Sequence, residues 1–157
     1  MPQDVVEFKI GAQRYQCAPI DLFTQLGIVA RISPLYASGF AEMVPFMVWF
    51  RDAGISSLDN LTVEKVTQIM TPIAREVAKM SDADRNFVIS SCLGAVARWR
   101  DPGGPWEPVW NKAANVAMLD DINDAMLALR ISMEVVRIRL SSFFPERLFT
   151  FLEGATS

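Results

Sequence analysis

The sequence contains no histidine in its 157 residues. That absence removes Ser-His-Asp and Cys-His catalysis, imidazole-ligated metals and imidazole acid–base chemistry together. Cysteine is nearly as scarce. Cys17 and Cys92 lie far apart in apolar settings, which supports neither a disulfide framework nor a structural zinc site. Lysine occurs four times against eleven arginines, which are scattered along the chain, and the formal net charge is −3. This balance provides no long-range attraction for nucleic acid or anionic lipid, and neither is expected as a partner. The longest nearly apolar run, FAEMVPFMVWF over residues 40–50, falls short of the roughly 20 residues a membrane crossing needs, and Glu42 and Pro45 interrupt it. The opening MPQDVVEFKI is acidic and alternating, unlike a signal peptide, so a cytoplasmic protein is expected. Internal repeats, charge blocks and low-complexity linkers are missing as well.

Hydrophobic residues make up 51% of the chain and charged residues 21%, the balance of a globular protein able to bury a core. A single domain over residues 1–157 is expected. Residues 5–18, VVEFKIGAQRYQCA, read as a β-hairpin: Val6, Phe8 and Ile10 alternate with Glu7 and Lys9, and Gly11 opens a polar turn. Residues 19–153 read as a helical bundle, and 154–157 as a flexible tail. The expected fold class is mainly α, a bundle of about five to six helices with a short N-terminal β-hairpin.

The helix signals run as follows. Pro19 and Asp21 suit the start of a helix to about Ile32, ended by Pro34. One stripe is Phe23, Leu26, Ala30 and Ser33, and a neighbouring one is Leu22, Val29 and Ile32. Residues 37–53 form a second helix disturbed at Pro45. A third, from Leu61 to Met80, has Thr62 as N-cap and a kink or split at Pro72. Ser81-Asp82-Ala83-Asp84 opens the next, with apolar face Val88, Ile89, Cys92, Leu93 and Val96. Asn111 to Met118 reads as a short helix. The longest, capped by Asp120 or Asp121 and running to about Phe143, is apolar on most of its circumference. Ile122, Met126, Leu129, Met133, Val136 and Leu140 form one stripe; Leu127, Ile131, Val135 and Ile138 form another.

Candidate chemistry is thin. Asp82 and Asp84, and Asp120, Asp121 and Asp124, stand where helices begin, and capping with dipole compensation accounts for them without a metal or a catalytic role. Gly103-Gly104 lacks the lysine and hydroxyl residue of a phosphate loop. Arg137 and Arg139 read as a solvated helix edge. In RWRDPGGPWEPVW, residues 98–110, three tryptophans read as a clasp anchoring a connector between two helices. No catalytic, cofactor or metal site is expected. The internal methionines recur on the amphipathic stripes, where flexible thioethers suit varied hydrophobic partners. Phe46, Met47, Trp49 and Phe50, with Met126, Met133 and Val135, are the expected contacts to a hydrophobic partner or to a second copy.

The order of these elements resembles the tail assembly chaperones of long-tailed bacteriophages. The resemblance lies in FKIGAQRYQC, LFTQLGIVARISPLY, the SDADRNFVISSCL helix start, WEPVWNKAANVAMLDDI and the final helix closing on SSFFPERL. It implies a non-enzymatic protein of the host cytoplasm that binds the hydrophobic, largely helical tape-measure protein and keeps it soluble for tail tube assembly. It also implies a longer form made by frameshifting, with GATS as the point of extension. The residues by themselves leave alternatives open. These are another virion component, such as a head–tail connector or tail-completion subunit, a small carboxylate-dependent enzyme, and an inhibitor of a host protein.

Overall fold

The structure is a computed structural model that describes residues 4–34 and 63–143. Among them, four α-helices and six strands in two antiparallel sheets make a mixed α/β fold, which overturns the expected bundle of five to six helices. The expected second helix, 37–53, and the segment after residue 143 lie outside the described residues, as does the Thr62 cap.

The N-terminal hairpin forms as its alternation dictates. β1 (Val6–Ile10) pairs with β2 (Gln13–Cys17) in the register Ile10↔Gln13 through Val6↔Cys17, closed by a two-residue turn with Gly11 at φ 60°. Phe8, Ile10, Tyr15 and Cys17 all face the core, and the Phe8 and Tyr15 rings stack at 5.3 Å. Helix α1 covers residues 22–34. It starts after Pro19 because Asp21 caps it: its carboxylate accepts from the Thr24 N–H (2.9 Å) and the Thr24 hydroxyl (2.7 Å). Helix α2 (Val63–Lys79) runs unbroken through Pro72 rather than splitting there.

Helix α3 (Asp82–Leu93) begins at Ser81, whose side chain accepts from the Asp84 N–H at 3.1 Å. It ends earlier than its apolar periodicity suggests. Gly94 terminates it, and Val96 belongs to strand β3 (Val96–Trp99). The reason is non-local: β2 presents a free edge, and β3 takes it with Cys17↔Val96 and Tyr15↔Arg98, continued by the Ala18 N–H to the Ala95 carbonyl at 2.7 Å. β4 (Trp106–Pro108) adds the fourth strand, giving the order β1-β2-β3-β4. The tryptophan stretch therefore folds back as a β3–β4 hairpin within the sheet and does not join two helices.

Residues 111–118 are likewise no helix. β5 (Trp110–Asn111) and β6 (Val116–Ala117) pair as a tight hairpin. Asparagine at both ends of the turn decides it. The Asn111 side chain accepts from the Ala114 N–H at 3.0 Å, and Asn115 takes the left-handed φ of 56° that this residue tolerates. Val109 links the two sheets, donating to the Val96 carbonyl and accepting from the Met118 N–H.

Asp120–Asn123 form a 3-10 turn, and α4 (Ala125–Leu140) is capped by Asp124, which accepts from the Met126 N–H at 2.9 Å, rather than by Asp120 or Asp121. A further 3-10 turn, Ser141–Phe143, follows α4. α4 packs on α3 and reaches β1, burying Ile131, Val135 and Leu140 against Phe8, Cys17, Val88, Cys92, Leu93 and Val96. Of the two apolar stripes, the one through Leu127, Ile131, Val135 and Ile138 faces the core, and Ile122 and Leu140 from the ends of the other are buried there too.

Candidate interaction surface

Helix α1 is anchored on one side and open on the other. Ile28 is fully buried, with Val29 and Ile32 packed beside it. Arg31 donates to Asp84 of α3 at 3.1 Å, and its guanidinium lies 3.9 Å from the centre of the Phe87 ring. Gly27 faces that same ring so closely that a Cβ there would fall 2.9 Å from it. The opposite stripe, Phe23, Leu26, Ala30 and Ser33, points to solvent, together with Leu22. Leu22 is 60% exposed, Phe23 82% and Leu26 46%. Their spacing is legible as a helical stripe; that this stripe faces outward is decided by which side of α1 meets α3. These residues were not among the contacts expected from the sequence.

The expected contacts are placed as follows. Phe46, Met47, Trp49 and Phe50 lie outside the described residues. Met126 and Met133 are half-buried on α4, while Val135 is fully buried in the core. Contact between Val135 and a partner therefore requires the packing around α4 to open.

The tryptophan hairpin is a closed cluster. Trp99 and Trp106 are cross-strand partners, their rings edge to face at 5.1 Å, and the Arg14 guanidinium of β2 covers both at 5.1 and 5.6 Å. Arg100 and Glu107 pair across the hairpin at 3.2 Å. Gly104, at φ 79°, lies against the Trp99 ring, where a Cβ would come within 2.6 Å. The peptide bonds Asp101-Pro102 and Gly104-Pro105 are cis. The clasp thus holds strands together, with ring faces already occupied by an arginine.

Several of the charged residues are engaged in structural pairings. Asp82 pairs with Arg85 and Asp84 with Arg31. Asp121 accepts from Arg98, which also bonds the hydroxyl of the buried Tyr15, so the 3-10 turn is tied to the sheet. Burial pushes the Tyr15 phenol up, with Arg98 opposing that shift. Arg137 meets the buried Glu134 at 2.8 Å, and Arg139 donates to main-chain carbonyls, so neither arginine is the free, solvated edge expected. Hydrogen bonds from Thr24 hold the Asp21 carboxyl below its ordinary range. Among the described residues, no group of three or more Cys, Asp or Glu side chains converges as metal ligands would. No helix among them is long and apolar enough to cross a membrane.

A mixed α/β fold that leaves one helix face apolar and exposed has the surface chemistry of protein–protein recognition. The model of a family described as phage tail assembly chaperone protein matches residues 11–151, and the chain belongs to that family. The match runs from the turn of the N-terminal hairpin through α4, so it takes in every helix and all strands but β1. Membership implies a non-enzymatic role and interaction with tail proteins. No curated protein and no solved structure matches the chain.

Proposed function

We propose that this chain binds the hydrophobic, largely helical tape-measure protein in the host cytoplasm, keeps it soluble and delivers it for tail tube assembly. Family membership supports the tail-assembly role. The observation that carries the finer reading is the outward stripe of α1, with Phe23 82% exposed on a helix whose other side is firmly seated. Apolar side chains at i, i+3 and i+7 on one helix match the spacing by which an amphipathic client helix buries its own apolar face. Burying a Phe or Leu side chain in such a contact contributes about 1.5–3 kcal/mol. Met126 and Met133 of α4, with Phe46, Met47, Trp49 and Phe50, supplement this face in the proposal, the flexible methionine side chains adapting to several client segments.

Coexpression with the tape-measure protein tests the proposal. The expected result is a soluble complex that copurifies, and a client that precipitates when Phe23→Ser and Leu26→Ser are introduced together. A client whose solubility is unchanged by the chain, with the two proteins separating on purification, overturns it.

A further inference from the structure

We infer that the outer edge of β1 is a self-association site, where two copies of this chain pair β1 with β1 in antiparallel fashion about a twofold axis at Phe8.

The four-stranded sheet has two edges, β1 and β4. They differ chemically. β4 is three residues long, is preceded by Pro105 and ends in Pro108, and proline offers no N–H to an incoming strand. β1 is five residues long and has no proline. In a hairpin closed by a two-residue turn the flanking pair Ile10↔Gln13 is hydrogen-bonded, so Phe8 and Val6 also bond inward to β2. The N–H and C=O groups of Glu7 and Lys9 then point away from the sheet. Among the described residues no strand pairs with that side, and the side chains of Glu7 and Lys9 are exposed.

Charge selects the partner and the register. Two copies of β1 meeting through these outward groups have three close registers. One sets Glu7 against Glu7 of the second copy, and another sets Lys9 against Lys9. Both put like charges directly opposite. The register between them sets Glu7 against Lys9 and Lys9 against Glu7, two opposite-charge pairs related by symmetry. A strand whose sequence reads Glu-Phe-Lys is in this sense complementary to itself, as an isologous twofold contact demands. Val5, 49% exposed, extends the same outward row. The product is one continuous sheet of eight strands. It uses neither α1 nor α4, and it stands whether or not the client is the tape-measure protein.

Analytical ultracentrifugation of the full chain over a concentration series tests it. The wild type is expected to reach the mass of two chains, with the association weakened at high salt. Lys9→Glu leaves four acidic side chains along the junction and is expected to raise the dissociation constant about tenfold or more. The hairpin is expected to tolerate it, because Lys9 lies opposite Arg14, which already pairs with Glu7 at 3.1 Å, and glutamate there replaces a like-charge neighbour with an opposite one. The double exchange Glu7→Lys with Lys9→Glu recreates the complementary pattern and is expected to restore the dimer. Circular dichroism of each variant checks that the fold is retained. A wild type that stays monomeric throughout overturns the inference, as does a dimer that Lys9→Glu leaves unchanged.

Discussion

A single nitrogen of Arg139, Nη2, donates to the main-chain carbonyls of both Asp4 and Cys17, at 2.7 Å each. One side chain near the end of α4 thereby holds the entry to β1 and the exit from β2, two points far away in the sequence. Replacing it with alanine leaves two carbonyls without their charged donor, and hydrogen bonds to charged groups contribute about 1.5–3 kcal/mol. Arg139→Ala is expected to lower the urea midpoint accordingly. Arg139→Lys recovers part of the loss, since an ammonium keeps the charge without the planar fork. A midpoint unchanged in Arg139→Ala contradicts the tie.

The start of α4 provides a second comparison. Asp124 accepts from the Met126 N–H, whereas Asp120 lies in the preceding 3-10 turn with its side chain exposed. Asp124→Ala is expected to cost about 1 kcal/mol, and Asp120→Ala less than about 0.5 kcal/mol. Equal losses in chemical denaturation mean that the cap is shared between them.

Burial pushes the Cys92 thiol from its ordinary 9.0 up to about 12, and it pushes Cys17 up as well. In the unfolded chain Cys92 loses its proton near 9.0, while in the folded chain it keeps it until about 12. Between those values the folded state binds more protons, so this contribution to stability is complete below the lower value and declines as pH rises through the window. The fall in denaturation midpoint on going from about pH 8 to about pH 10.5 is expected to be smaller in Cys92→Ala than in wild type. Both thiols are expected to resist a thiol reagent until the chain unfolds. Rapid labelling of the native protein contradicts their burial.

The two sides of α1 predict opposite outcomes. Ile28→Ala opens a cavity in the core and is expected to cost about 2–5 kcal/mol. Phe23→Ser with Leu26→Ser removes only exposed side chains, and each change is expected to stay within about 0.5 kcal/mol. Thermal unfolding of the variants separates the cases, and a large loss from the outer pair means that this face is covered within the chain.

What the sequence determined by itself is local. The period-two alternation of Val6, Phe8 and Ile10 with a glycine turn specifies the first hairpin, because the pleat and the turn are settled within a dozen residues. Ser81 marks the start of α3 through a bond to an N–H three residues away, and Asp21 does the same for α1. The stripes of α4 follow from the helical repeat, and the order of elements was enough to suggest the family to which the chain belongs. Tertiary structure decided the rest. Val96 to Trp99 is a strand because β2 offers an edge, although its apolar residues continue the periodicity of α3. Strands of two to four residues, such as β5 and β6, are too short to display a period, and their pairing is a property of two segments rather than one. A helical stripe announces a face but not its direction. Phe23 and Leu26 point to water, and Val135 to the core, because burial depends on which elements dock against each helix.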